Sequence, residues 1–323
     1  MSDTKTLGTA VPARRRPLAA PDSAALILFL LIEVIFFSLN SPYFLNWANW
    51  VNIFTALSIT GILAAGGTIL LISGQFDLSV GSGTAFVALV FALAAAQFGI
   101  APAVGIAVLV GCGIGMLNGF LVNVIGVNAL ITTLGTLAIF RGLTLSIGGA
   151  SSVRVSGFDW AIIRPAFDIP LSTGLFVLVA LIAGVLLTRT VFGRTIYAIG
   201  ANETAARLVG IRTKRTLFIA FVGSGLCMAL AGLVSVSQLG STSGTTGLGL
   251  ELAVVTAIIL GGTTLKGGVG SMFGTVLGLL IVGVLNNGMT LMNINSTWQQ
   301  VAAGVLLILA VSFDQIRQRY FHP

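Results

Sequence analysis

Ten apolar runs, each close to the length a helix needs to cross the hydrocarbon of a bilayer, follow one another between residues 24 and 313. They cover residues 24–39, 49–72, 81–98, 101–122, 129–147, 171–188, 216–238, 250–264, 270–288 and 297–313. In lipid, every backbone donor and acceptor must find a partner within the protein, so such runs are predicted to be helices rather than open strands. With 56% hydrophobic and 8% charged residues, the chain lacks the polar surface of a soluble globule. The expected fold is an all-α integral membrane protein, a polytopic bundle of about ten transmembrane helices spanning residues 24–316. A disordered tail precedes it at 1–23, a short tail follows at 317–323, and no small-residue cleavage site after the first run marks it as a signal peptide. The glycine-rich stretch from Gly261 to Gly270 leaves the 250–288 pair open between full crossing and re-entry.

Basic residues orient this bundle. Thirteen of the sixteen lie in the N-terminal tail, the 189–215 loop, Lys266, and the pair Arg317 and Arg319. Only Arg154 and Arg164 fall on the opposite side, and Arg141 lies within a run. The positive-inside rule therefore predicts both termini and the 189–215 loop in the cytoplasm, with a long external loop at 148–170. That loop, with Arg154, Asp159, Trp160, Arg164 and Asp168, is either a docking surface or a plain connection. The net charge of +7 does not signal nucleic acid, because basic and aromatic residues are not interleaved on any polar surface.

The 189–215 loop is more elaborate than a connector requires. Asn202 is a good N-cap, Glu203 suits the positive helix end, and Gly210 a left-handed stop, which predicts about two helical turns. A helix this short is marginal alone in water. Its apolar residues Ala205, Ala206, Leu208 and Val209 would seek a groove, rimmed by Arg207, Arg212, Lys214 and Arg215. The segment reads as a docking element, the alternative being a helix resting on membrane lipid headgroups.

Few residues inside the runs carry chemistry. Glu33, Asp77, Arg141 and Glu251 are charges that lipid would penalise by roughly 2.5 to 3.5 kcal/mol each if unpaired. Arg141, toward the outer end of its run, could instead snorkel. Asp77 sits in Gly-Gln-Phe-Asp-Leu-Ser-Val-Gly-Ser from Gly74 to Ser82, which reads as a broken helix, with Asp77 either capping the next helix or contacting a solute. A weakly similar pattern from Gly261 to Ser271 suggests an internal duplication. Asn118, Thr132, Thr133, Gln238, Asn286 and Asn287 could line a path for a polyhydroxylated solute or bond helices together. Gly111, Gly115 and Gly119, and likewise Gly270, Gly274 and Gly278, recur every four residues, for close packing within the chain or at a dimer face. Cys112 and Cys227 lie inside apolar runs as packing residues, and the one histidine, His322, is penultimate, so no histidine relay and no metal site is expected. The chain has no phosphate-binding loop and no paired carboxylates, so it is expected to bind no cofactor and to be no enzyme.

Four motifs, in order, resemble one family. From about Leu26 to Asp314 the chain is similar to the membrane permeases of bacterial ABC sugar importers of the ribose, xylose and autoinducer type. GQFDLSVGS resembles the family's Gly-Gly-Ile-Asp-Leu-Ser-Val-Gly-Ser segment, NALITTLGTLAIFRGL its central span, and GRTIYAIGANETAARLVGI its cytoplasmic coupling loop. The stretch from Glu251 to Met289 resembles its C-terminal signature. Gln75 and Phe76 replace the family's glycine and isoleucine, and Ala253 stands where an acidic residue is frequent.

The resemblance implies two permease subunits, expected to be a homodimer, around a central path. It also implies two ATPase subunits carrying ATP and magnesium, and an extracytoplasmic solute-binding protein. ATPase coupling is expected at Gly200, Asn202, Glu203, Ala206, Leu208 and Gly210, and the polar and charged residues of the runs put the expected translocation path at Gln75, Asp77, Asn118, Thr132, Thr133, Arg141, Glu251, Asn286 and Asn287. The function expected is import of a monosaccharide or small polyol across the bacterial inner membrane by alternating access. Alternatives are a permease for branched-chain amino acids, with the same architecture, and an ion-coupled secondary transporter, which the shortage of intramembrane carboxylates and histidines disfavours.

Overall fold

The computed structural model describes residues 22–149 and 152–321. The expected tail at 1–23 lies outside the described residues except for its last two, which already belong to the first helix. Each of the ten apolar runs is helical: α1 (Asp22–Asn40), α2 (Trp47–Ile72), α3 (Val80–Phe98), α4 (Ile100–Phe120), α5 (Ala129–Gly148) and α6 (Leu171–Arg189) in the first part. Two helices of the 189–215 loop follow, α7 (Val191–Ala201) and α8 (Glu203–Leu208), then α9 (Thr213–Leu239), α10 (Leu250–Leu260), α11 (Met272–Leu291) and α12 (Ser296–Phe321). A π-helical turn, Leu121–Ile125, extends α4 before Gly126 stops it in the left-handed region. Residues 317–321, expected as a separate tail, continue α12.

Seven helices among the described residues are long and apolar enough to cross a membrane: α2, α3, α4 with its π turn, α5, α6, α9 and α11. The two members of the 250–288 pair differ. Helix α11 has 20 residues, but α10 has only 11, about 16 Å at 1.5 Å per residue against a hydrocarbon core of about 30 Å. The run at 250–264 therefore falls short of the crossing its hydropathy suggested. Gly249 and Gly262, both at positive φ, bound the short helix at its two ends.

Glycine determines how the helices meet. A side chain at Gly111 or Gly115 would run into the backbone of α9 at Gly225 and Phe221, and one at Gly225 would meet Gly111 and Gly115 in turn. Gly274 and Gly278 abut Gly261 and Ala257 of α10 in the same way. Both stripes thus face neighbours within the chain. Close approach matters here because lipid is as apolar as a leucine side chain, so dispersion between well-fitted backbones holds helices together. Around the α4–α9 seam, α2 and α3 complete a centre in which Ile62, Leu63, Phe91, Phe221 and Met228 are fully buried. Cys112 and Cys227 are both free thiols, partly buried on α4 and α9.

The end of the bundle opposite α7 and α8 is covered by residues 152–170. Within them Val153–Arg154 pairs antiparallel with Ser241–Thr242, a two-residue ladder, and Ala166 bridges Ile169. Phe158 packs against Phe91 with ring centroids 4.5 Å apart and the ring planes tilted at 45°. The Ala161 amide donates to Ser237 Oγ (2.8 Å), and Trp47 Nε1 donates to the Phe167 carbonyl (3.0 Å). The loop is thereby fastened to α2, α3 and α9.

Candidate translocation path and coupling arm

Helix α2 ends at Ile72, and the next helix starts at Val80 after a turn, so residues 73–79 interrupt the pair within the bundle. Asp77, buried, accepts from the Ser79 amide (3.1 Å) and hydroxyl (2.6 Å) at Oδ1, and from Ser224 Oγ (2.8 Å) at Oδ2. Its capping-like bonds at the start of α3 are joined by a tie to the middle of α9. Asn118 of α4 adds Nδ2 to Ser79 Oγ (2.9 Å), while its buried Oδ1 has no partner. Thr133 bonds mainly to its own helix at the Ala129 carbonyl (2.9 Å), and the buried Thr132 hydroxyl is unpartnered.

A second interruption lies opposite. After the ladder at Ser241–Thr242 the chain turns back into the bundle, and Arg141 Nη1 on α5 donates to the carbonyls of Gly244 (3.0 Å) and Thr246 (2.8 Å). Arg141 does not snorkel; it satisfies irregular backbone that lipid could not. The re-entering segment reaches α3 at Gly81, which abuts the Gly247 carbonyl and the Glu251 carboxylate. Glu251, in the first turn of α10, accepts a long bond from the Gly249 amide (3.3 Å) at Oε1, and its buried Oε2 has no partner.

The other expected path residues lie apart from this centre. Asn287, on α11, exchanges reciprocal amide bonds of 2.9 Å with Asn49 at the start of α2, a helix tie at the end bearing the 148–170 loop. Its neighbour Asn286 has a buried Oδ1 without a partner. Gln238 clamps α2 to α6 through Ser58 Oγ and Ser172 Oγ, both at 3.1 Å. Gln75 lines a cavity of about 530 Å³ at the opposite end, together with Asn123, Asn128, Glu203, Arg207 and Lys214.

That cavity opens beneath the arm formed by α7 and α8. Asn202 Oδ1 accepts from the Ala205 amide (2.9 Å), capping α8, and Gly210 has φ 86° beyond its end. Glu203 pairs with Arg207 at 3.1 Å and accepts from Thr213 Oγ1 (3.3 Å). The apolar residues expected to share one contact face separate. Ala206 is buried with Ile199 and Leu217, whereas Leu208 and Val209 are 84% and 75% exposed. Ala206 anchors α8 inward, and the outward face belongs to Leu208 and Val209.

Helix α7 is an addition to the expected arm. Its buried positions Ile196 and Ile199 repeat at helical spacing, a signal available in the sequence. Gly200 leaves no room for a side chain against the Ile72 carbonyl and the Gly268 amide. The Tyr197 hydroxyl donates to the Gly270 carbonyl (2.8 Å), and the Gly268 amide to the Ile72 carbonyl (2.7 Å). Burial raises the Tyr197 phenol above its ordinary range, so it stays a donor. The arm thus packs on the end of α2 at Ile72 and on the 261–271 segment that follows α10. Ser79, Ser224, Tyr197 and the 243–249 segment are the members of this arrangement that hydropathy alone does not single out.

Comparison with known proteins places these features in a family. The family model described as "Branched-chain amino acid transport system / permease component" matches residues 49–311. The D-allose transport system permease protein AlsC of Escherichia coli (strain K12) is 39% identical over 294 residues, 90% of each chain. The ribose import permease protein RbsC of Bacillus subtilis (strain 168) is 38% identical, covering 89% of this chain and 91% of its own. The L-arabinose transport system permease protein AraH of Escherichia coli (strain K12) is 36% identical, covering 99% and 98%. No solved structure matches the chain. A polytopic helical membrane chain matched over most of its length by transport permeases belongs to that family of permease components.

Proposed function

We propose that the chain is the translocation subunit of an ATP-driven, binding-protein-dependent importer of a monosaccharide or related small polyol, in the bacterial inner membrane. The observation that carries this reading is the arm: an exposed, capped helix, α8, joined through α7 to the end of α2 at Ile72 and to the 261–271 segment after α10. A partner pushing on Leu208 and Val209 would move the 73–79 and 261–271 segments together. Relatives whose names specify allose, ribose and arabinose support the sugar. The partner supplies ATP and magnesium chemistry; this chain supplies the path, its two states, and the docking helix. Both termini lie in the cytoplasm in this reading, with ten membrane-embedded helices, α10 re-entrant and a second copy completing the path.

Charge reversal of Glu203 and Leu208→Asp test it. Leu208 is exposed, and Glu203 bonds only to Arg207 and to Thr213 at the arm's own end of α9, so both variants are expected to insert and to melt close to the parent. Both are expected to lose co-purification with the ATPase and to lose uptake; variants that retain both would overturn the docking assignment. The family description favours one competing solute, a branched-chain amino acid. Thermal stabilisation of the partner binding protein by sugars but not by leucine, isoleucine or valine separates the two. Uptake that continues after ion gradients collapse, with ATP retained, excludes an ion-coupled carrier.

A further inference from the structure

We propose that the groove between α6 and α11 is a binding site for an anionic phospholipid, holding an acyl chain along α6 and the phosphate at Arg189. The groove encloses about 510 Å³ and runs along α6 from Phe176 to Arg189. That distance is about 20 Å at 1.5 Å per residue, enough for the roughly 15 Å hydrocarbon depth of one leaflet. Its walls are Leu57 of α2, Val177 and Leu181 of α6, and Phe273 and Leu280 of α11. Gly184 leaves its floor open, since even a Cβ there would only touch Met272 at 3.7 Å.

The ends of the groove differ in chemistry. One end is wholly apolar, while at the other Arg189 and Ser271 converge. The single ion pair among the described residues is Arg207 with Glu203, so Arg189 has no carboxylate there. Ser271 caps α11, accepting from the Gly274 amide (3.0 Å), and the positive end of that helix points to the same mouth. A cation and a helix N-terminus at the headgroup end of an acyl-length channel suit a phosphate diester with a net negative charge. A second groove, of about 320 Å³ on the other side of α6, is lined by Ile69, Ile182 and Leu230 and holds no charged residue. It serves as an internal control, able to take a chain without selecting a headgroup.

Position gives the site a consequence. Thr190, the next residue, accepts from the Gly193 amide (3.2 Å) and starts α7, so the lipid phosphate would sit at the root of the coupling arm. That consequence, and the leaflet concerned, rest on the function proposed above; the binding does not. The test reconstitutes the full chain in phosphatidylcholine discs doped with phosphatidylglycerol and measures co-purifying lipid by native mass spectrometry. The parent is expected to retain phosphatidylglycerol in preference, Arg189→Gln to retain roughly fivefold less, and Arg189→Lys to restore most of it. Gly184→Trp, which fills the channel, is expected to abolish retention with Arg189 intact. Ile182→Trp in the control groove is expected to leave it unchanged.

Retention unaffected by both Arg189→Gln and Gly184→Trp, in protein that melts like the parent, would overturn the site. So would disulfide cross-linking of two copies through Leu181→Cys, which would mean protein covers the groove. A chain that retains lipid selectively but fails to transport sugar would refute the proposed function and leave the lipid site standing.

Discussion

Asp77 and Glu251 occupy comparable places, each beside the start of a helix that begins after an interruption, α3 and α10, and their segments meet at Gly81. The two carboxylates are treated very differently. Asp77 has both oxygens occupied by short bonds from neutral donors on its own turn and on α9. Glu251 has one long bond, to the amide of a residue two positions away, and an oxygen with none. A buried polar atom without a partner is costly unless something else uses it. Asp77 is therefore fully bonded within the fold, as a scaffold residue would be, whereas Glu251 keeps one carboxylate oxygen without a bond.

The comparison is broken most violently at Asp77. Asp77→Ala would leave the Ser79 amide and the Ser224 hydroxyl without their acceptor, at about 1 to 3 kcal/mol for each group left unsatisfied. Thermal unfolding in detergent is expected to show the largest loss of any substitution considered, with Asp77→Asn retaining part of it. An unchanged melting point would remove Asp77 from the scaffold. Next in size is Gly81→Val, which forces a branched side chain into the Gly247 carbonyl and the Glu251 carboxylate. Overpacking of that kind costs about 1 to 3 kcal/mol, and the two segments are expected to separate. A disulfide-trapping pair across them would then form more slowly than in the parent.

Arg141 comes third, because it holds one segment only. Arg141→Gln removes the charge from the bonds to the Gly244 and Thr246 carbonyls but keeps an amide donor, a net cost of about 1 kcal/mol. Amide exchange is expected to quicken across residues 240–249 and to stay unchanged across 73–79. Equal loss of protection in both would mean that the two interruptions are one unit, and the contrast between them would fail.

The helices were legible because lipid imposes one rule everywhere, and an apolar run obeys it whatever surrounds it. Asn202, Glu203 and Gly210 marked α8 through local cap chemistry, which sequence carries in full. What was not legible depends on distance in the chain. The run at 250–264 has the hydropathy of a span, and only the glycines around it, read with the bonds of Arg141 to residues over a hundred positions away, explain a helix of 11 residues. Ala206 and Leu208 are equally apolar in sequence, and the packing of Ile199 and Leu217 decides which one faces out. Among the expected path residues, Asp77 and Asn118 fall together through Ser79, while Asn287 lies with Asn49 at the far end of the bundle. Residue type announced polarity in a membrane; only the fold assigns each polar group a partner.

The smallest effect on stability is expected at the most informative position. Glu251→Gln keeps the shape of the side chain and can still accept from the Gly249 amide, so unfolding is expected to shift by no more than about 0.5 kcal/mol. Transport is a different matter, because an amide offers a solute hydroxyl a weaker acceptor than a carboxylate does. Losing one charge-assisted bond of about 1.5 kcal/mol that forms only while solute passes would slow uptake roughly tenfold. The measurement is uptake by the reconstituted importer at saturating binding protein, beside ATPase turnover in the same vesicles. Slow uptake with undiminished turnover would place Glu251 on the path, whereas a parallel fall in both would mean that it serves the conformational cycle. Normal uptake would return Glu251 to the scaffold alongside Asp77, and with it the difference between the two interruptions.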